Sequence, residues 1–447
     1  MTPRPCPDEN LAPLCRLGRA DQARRLAAAF PDSTASASPE DAAAVRFRGG
    51  RAAAVAALAA IDPVAYGRTR NHVGGHVTRL SPWIRHGVLS LAEVRDAALA
   101  RVAAPEQAEK LISELGWRDY WRQVHDAIGE RLHDSLEPPA AISRDGVTRA
   151  DHMPVDVLEA RTGMACIDDF VRRLQGSGWL HNHERMWLAS WLVHVRGVRW
   201  QVGADWFLEH LLDGDPASNH LSWQWVAGTF SAKPYLFNRE NLETYTAGMH
   251  CRTCRLFGSC DVEGTYEELS ARLFEPADAL PARGPLRIRP RAGEAGAGGG
   301  EPASAGRPLV WLTLDSASAV GPAVLLHPDA PRLFVIDVRW LAEERPSLKR
   351  LVFLFECLAD VPGLEIRVGD PAVIVPERAR SSGCDGVVHA ATPCTRVRRA
   401  SGHIAEMLPV AAVPWPPFCD RSRVEDLGRF SRYWQKVSRS ALQPTRR

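Results

Sequence analysis

Between residues 276 and 307 the chain reads PADALPARGPLRIRPRAGEAGAGGGEPASAGRP, and apolar periodicity is lost there. Proline, glycine and alanine at that density favour neither helix nor strand, so a flexible linker is expected. The sequence on either side differs in kind. Before it, LAEVRDAALARVA, EKLISELGWRDYWRQVHDAIGERL, CIDDFVRRLQ, HERMWLASWLVHV and WFLEHLL space apolar residues at helical intervals. After it, LVWLTL, RLFVIDV, LEIRVG and DGVVHAA are short, apolar and β-branched, with a helical KRLVFLFECLADV between the second and third. The expected organisation is an all-α domain over 1–275, a linker over 276–307, a smaller parallel α/β domain over 308–420, and a basic tail, helical or loose, over 421–447.

Composition excludes several classes. With 45% hydrophobic and 24% charged residues the chain is neither disordered nor collagen-like. No apolar run reaches the roughly 18 residues of a membrane span. The opening MTPRPCPDENLAPLC lacks the apolar core of a signal peptide, so a cytoplasmic setting is the expectation. The ten cysteines are then thiols or metal ligands before they are disulfides. The net charge of +2 hides an asymmetry: residues 1–275 hold 31 Lys/Arg against 35 Asp/Glu, leaving the rest of the chain basic. Nucleic-acid binding by the helical part would need a local patch.

Four helical-region segments concentrate unusual side chains. In SELGWRDYW, Glu114, Trp117 and Arg118 stand at i, i+3 and i+4, one helix face; the plain alternative is a surface Glu–Arg pair beside a buried ring. In GWLHNHERMWLASWL, Asn182, Arg185 and Met186 repeat that geometry on a helix whose next turns are nearly all apolar, where polar groups need partners. A bound polar ligand or a salt-bridge network would supply them. In LLDGDPASNHLSWQWVAGTF, Asp213 and Asp215 flank a glycine, followed by Asn219, Trp223 and Trp225; the acids could bind a metal, hold a cation or cap a helix. In YGRTRNHVGGHVTRLSPWIRHGVLS, Gly74 and Gly75 precede Thr78, Arg79 and Ser81, a set suited to a phosphate near a helix start.

These four segments, in this order from about Phe47 to Phe230, resemble the FAD-binding domain of the DNA photolyase and cryptochrome family. The resemblance implies roles. Tyr66, Thr78 and Ser81 would hold the FAD diphosphate and neighbouring groups, with Arg79, Leu80, Arg118 and Trp179 completing the cofactor contacts. Arg185 and Asp213 would pair beside the isoalloxazine, Asp215 would lie towards the ribityl or adenine side, and Asn219 would face flavin N5. Glu114, Asn182 and Met186 would contact a flipped pyrimidine dimer, and Trp117 and Trp225 would pack against its bases. Trp223 and Trp200 match the inner and middle members of the family's tryptophan relay, with Trp191, Trp206 and Trp187 as candidates for the outer, surface one. The implied activity is light-driven repair of UV-damaged DNA by a monomer. The alternatives are a cryptochrome-like photoreceptor without repair, a (6-4) photolyase, and a DNA-binding protein that has lost the photochemistry. Two departures bear on this: His183 stands where bacterial dimer photolyases usually carry arginine, and His181-Asn182 stands where (6-4) photolyases carry paired histidines, which favours cyclobutane dimers.

Cys251, Cys254 and Cys260 lie in MHCRTCRLFGSC, a C-x2-C followed by a third thiol, which is metal-site spacing. His250 is a spare ligand candidate. Resemblance to the iron–sulfur photolyases of bacteria adds Cys166 as fourth thiolate, implying a [4Fe–4S] cluster, with structural zinc as the alternative. Residues 308–420 resemble a shortened, Rossmann-like antenna domain of photolyases placed after the flavin domain instead of before it. The charged signature that follows the first strand of that domain is absent at Thr313–Ser318, which argues against an antenna chromophore.

Overall fold

The computed structural model of the chain describes residues 9–34, 37–144, 149–276, 283–291 and 306–445. Five strands follow the linker region: β1 Pro308–Leu312, β2 Arg332–Asp337, β3 Leu364–Gly369, β4 Gly386–Ala390 and β5 Val410–Val413. They form one parallel sheet in the order β3-β2-β1-β4-β5. Side chains alternate between two cores. Val310, Leu312, Phe334 and Ile336 face the helix Leu348–Leu358, whereas Leu309, Trp311, Leu333 and Val335 face the helices Pro371–Ser381 and Thr395–Ala405. Helices on both faces require strands apolar on both faces, hence the unbroken apolar runs in the sequence. The fifth strand, VAAV, gives little signal in the sequence because two of its four residues are alanines, which carry little strand preference.

The helical part contains the long helix Glu109–Ile128 and the helices Ala165–Ser177, Asn182–Ser190, Trp200–His210 and Pro216–Ala227. Two expectations about the chain ends change. The first described residues join the sheet: Leu11 N donates to Ile366 O at 2.9 Å, Ile366 N donates to Asn10 Oδ1 at 3.0 Å, and Ala23, Leu26 and Phe30 enter the core shared with the helix Leu348–Leu358. Helical spacing shows that residues 19–29 coil, not what they pack against.

The basic tail, in turn, docks on the helical part. Its helix Phe430–Ala441 lies on Glu109–Ile128, where buried Tyr433 donates its hydroxyl to Asp119. Trp434 fills the space above Gly116, where a Cβ would come within 2.4 Å of the indole. Of the expected flexible linker, 277–282 and 292–305 lie outside the described residues. Residues 283–291 are held in place: Ile288 is buried and exchanges hydrogen bonds with Leu427 (2.7 Å) and Asp426 (3.2 Å).

Sheet and helical part meet through buried charge. Lys349, on the helix Leu348–Leu358, is 1% exposed and lies 3.2 Å from His210 Nδ1 across the contact. Burial pushes its pKa down to about 7, from 10.5. Between these values the unfolded chain binds this proton more tightly than the folded one. The group therefore costs stability below pH 7, and the cost is relieved as pH rises through that window. Denaturant titrations should show stability rising from pH 7 towards 10, and Lys349→Met should flatten the rise. An unchanged slope in that variant would dissociate Lys349 from the effect.

Candidate functional site

The polar residues singled out in the sequence fall into two groups of contacts. The first gathers around Arg70. Its guanidinium pairs with Glu114 Oε1 at 3.0 Å and lies over the Tyr66 ring at 5.7 Å. Lys110, one turn before Glu114, adds a second cation at 3.5 Å. The Arg70 carbonyl accepts from His181 Nε2 at 2.9 Å, which leaves Nδ1 to accept from His183 N. This seats the start of the Asn182–Ser190 helix against the Arg70 turn. Asn182 is exposed there, its amide donating to Met186 Sδ at 3.2 Å. Arg70 carried no role in the sequence reading; its only signal was its i+4 position from Tyr66. His183 does not replace the arginine it displaces. Burial, with Arg70 and His72 beside it, pushes its pKa down to about 4, so it is neutral at pH 7.

The second group centres on the turn Asp213-Gly214-Asp215. Arg185, on the same helix as Asn182, pairs with Asp213 at 2.9 Å and donates from Nε to Leu180 O at 3.0 Å. Burial raises the pKa of Asp213, but Arg185, the Ser81 hydroxyl and Arg118 outweigh it, and the net shift is downward. Asp215 behaves likewise: burial is overcome by Arg118, Arg85 and Arg122. It also caps the helix Pro216–Ala227 through Ser218, one of the three uses the sequence allows for these acids. Both acids are therefore charged at neutral pH. Asp213 Oδ1 is buried without a hydrogen-bond partner, a group for which a bound donor would compensate. Ser81 opens the short helix Ser81–Arg85, preceded by buried Leu80 and by Arg79 in the left-handed region at φ +53°. Such strain in a residue with a Cβ persists where the surroundings impose it. The Arg79 guanidinium lies over Trp179 at 5.0 Å, and Thr78 is half-buried beside it.

The turn is fixed from outside. Gly214 O accepts from Arg85 Nε at 2.8 Å and from Arg350 Nη2 at 3.4 Å. Arg85 pairs with Asp315, just past β1, and Arg350 with Glu344, 3.2 Å away. All four side chains are buried. A Cβ on Gly214 would meet Arg350 Nη2 and Leu211 O at 3.0 Å, so a side chain here would push both by a few tenths of an ångström.

The aromatic residues divide. Trp225 is half-buried against Tyr235 at 5.6 Å. Trp117 is also half-buried, but one face is stacked on Phe430 of the C-terminal helix, centroids 3.8 Å apart. That face is not open to a base, and nothing local in the sequence indicated it. Trp223 is buried against Phe207 at 4.9 Å, in space left by Gly203, and Trp200 donates to Ser135 at 3.1 Å. Trp187, Trp191 and Trp206 are 0%, 1% and 4% exposed, so none of them is the surface member of a relay. Asn219 donates its amide to Ala204 O at 2.8 Å, leaving Oδ1 for another partner.

Cys166, Cys251, Cys254 and Cys260 line one cavity together with Met164, Leu256 and Val262. Burial raises the Cys166 thiol, with the other three sulfurs adding to the shift, and raises Cys251 to about 11. Among the described residues no three His, Cys, Asp or Glu side chains converge as the ligand set of one metal ion. The four cysteines thus share a cavity without forming a single-ion shell.

Residues 111–248 match the family model for the FAD-binding domain of DNA photolyase. A deoxyribodipyrimidine photo-lyase of Streptomyces griseus is 37% identical over 162 residues, covering 35% of this chain and 33% of the relative. A cryptochrome DASH, chloroplastic/mitochondrial, of Oryza sativa subsp. japonica is 33% identical over 169 residues, covering 36% and 28%. Among solved structures, a bacterial class III photolyase from Agrobacterium tumefaciens aligns at 27% identity with a TM-score of 0.39, over 46% of this chain and 44% of that one. Over residues 111–248 the helical part is thus similar to the FAD-binding domain of the photolyase/cryptochrome family. The chain spans about a third of the length of the curated relatives it matches. No described helix is long and apolar enough to cross a membrane.

The Arg185–Asp213 pair gives a direct check on whether these residues hold a flavin. Arg185→Ala removes the paired cation and leaves buried Asp213 with only Ser81 and Arg118 to offset its charge, so the variant should purify colourless, while Arg185→Lys should retain part of the yellow absorbance. A fully yellow Arg185→Ala protein would place the flavin elsewhere.

Proposed function

We propose that the protein is a light-driven DNA-repair enzyme that holds FAD in its helical part and splits cyclobutane pyrimidine dimers. The observation that carries this reading is the gathering of residues from separate segments into two linked sets. Glu114, Arg70 and the Asn182–Met186 turn form one, and Arg185, Asp213 and Ser81 form the other; the helix Asn182–Ser190 contributes to both. When bound, reduced FAD supplies the light-driven electron that opens the dimer and takes it back afterwards. Arg185, aligned by Asp213, favours negative charge at the flavin ring. Thr78, Arg79 and Ser81 offer hydroxyls and a cation for the diphosphate. Glu114 presents a carboxyl to the polar edge of the lesion, and Asn182 and Met186 contact it from the neighbouring helix. Trp225 offers an apolar surface for its bases. Illuminating the reduced protein with dimer-containing oligonucleotide tests this: the dimer signal should decay under blue light. Glu114→Ala should keep its flavin and lose about ten-fold or more in dimer affinity, the loss of one buried hydrogen bond of about 1–3 kcal/mol.

One observation favours the second reading, a photoreceptor without repair: Phe430 covers a face of Trp117 that a base would use. Normal photoreduction with dimers left intact would decide for it.

We further propose that Cys166, Cys251, Cys254 and Cys260 hold a [4Fe–4S] cluster. Four thiols on one cavity of about 330 Å³, counted to its open mouth, support it. Four thiolates satisfy the ligand need of a cubane, as they would that of structural zinc. Such a cluster supplies a crosslink between the Ala165–Ser177 helix and the Cys251–Cys260 loop. Anaerobically purified protein should contain iron and acid-labile sulfide in near-equal amounts, about four each. Cys166→Ser should lose both as fully as Cys254→Ser does. Zinc without sulfide would exclude the cluster and leave a four-thiol site.

A further inference from the structure

A protein that draws a lesion out of a duplex must also hold the flanking polyanion. Residues 1–275 offer little net charge for that, with 31 Lys/Arg against 35 Asp/Glu. His183 adds none. Two other segments are strongly basic: residues 283–291 and 423–439 together carry nine Lys/Arg and two acids, Glu425 and Asp426.

Their position gives this charge a use. At one end Arg283 donates to Ser231 O at 2.9 Å, and Ser231 Oγ donates to Trp225 O at 2.8 Å. At the other end Leu427 N donates to Ile288 O, and Phe430 three residues on is stacked on Trp117. Buried Glu137 joins the two segments, taking Arg283 at 3.1 Å and Arg429 at 2.9 Å. The basic strip therefore runs between Trp225 and Trp117.

Its side chains are sorted. Leu286 and Ile288 pack into the helical core, while Arg287, Arg289 and Arg291 are exposed. On the C-terminal helix Tyr433, Val437 and Ala441 are buried. Arg432, Lys436 and Arg439, at i, i+4 and i+7, form an exposed face of the same helix. Strip and helix face meet at Asp426, which pairs with Arg432 and also accepts from Ile288 N at 3.2 Å.

We propose that this strip, Arg287, Arg289 and Arg291 with the Arg432–Lys436–Arg439 face, docks the phosphate backbone of duplex DNA beside the lesion. The inference rests on the repair reading only for placing the lesion near Trp117 and Trp225. Exposed guanidinium groups match phosphate in charge and in their forked geometry. Neutralising phosphates releases counterions, so such a surface contributes a salt-dependent, sequence-independent share of binding. The fixed scaffold beneath the arginines lowers the ordering cost of that contact.

The test uses the flavin-loaded full chain and a fluorescein-labelled duplex, with and without one cyclobutane dimer, titrated by polarisation across a series of salt concentrations. Two variants, Arg287→Gln/Arg289→Gln/Arg291→Gln and Lys436→Gln/Arg439→Gln, alter exposed side chains, and their melting temperatures should match the parent. Each should bind both duplexes at least ten-fold more weakly at low salt. The slope of log K against log salt should shrink by about 0.9 for every phosphate contact removed. Parental affinity and slope in both variants would overturn the proposal. So would tighter binding by the helix variant, which would make the C-terminal helix a cover over Trp117. Repair is read separately by illuminating the parent with the damaged duplex. Intact dimers there, together with weakened duplex binding by the variants, would remove the repair reading and leave the docking surface standing.

Discussion

The carbonyl oxygen of Gly214 is the point on which the two halves of the protein agree. Arg85 reaches it from the helical side and Arg350 from a helix of the sheet. Each is neutralised by an acid of the C-terminal half, Asp315 just past β1 and Glu344. Buried ion pairs of this kind add little net stability because both charges must be desolvated. Their value lies in geometry. A guanidinium that has lost its water has few alternative partners, so it fixes the backbone it touches. The turn so fixed carries Asp213 and Asp215, which orient Arg185 and lie near Arg118. The sheet thus positions the candidate flavin site without contributing a residue to it.

Much of the fold was legible because it is set by local pattern. Four strands and the main helices follow from apolar spacing, and a parallel sheet with helices on both faces explains strands with no polar side. What was not legible was partnership across long sequence separations. Residues 19–29 fall inside the region expected to be helical, but nothing in them announces burial against the helix Leu348–Leu358. The tail read as basic, yet its apolar side, Tyr433 and Val437, fits against a helix three hundred residues earlier. The segment RGPLRIRPR read as linker because proline and glycine dominate its surroundings; the single buried Ile288 and its bonds to residues 426 and 427 gave no periodic signal.

The candidate site shows the same division. Family resemblance named Glu114, Asn182, Arg185 and Asp213, and the structure brings their segments into contact. It did not name Arg70, which supplies the cation for Glu114, or Phe430, which takes a face of Trp117. Both depend on tertiary packing. The four cysteines illustrate the opposite case, since spacing located three of them and only the fold could bring Cys166, 85 residues before Cys251, to the same cavity.

The interlacing of the chain ends has a consequence for how the protein comes to be folded. Leu11 waits for Ile366 to be synthesised before its hydrogen bond can form, and Asp119 waits for Tyr433. The clusters that hold Leu11 and Tyr433 cannot close as their own stretches leave the ribosome, whereas the cluster within residues 157–262 can. Each half keeps one cluster incomplete until both halves are made. The many contacts of high sequence separation make that late step slow. A break anywhere between the halves therefore leaves two unfinished pieces, because each half is closed by a terminus that the other half carries.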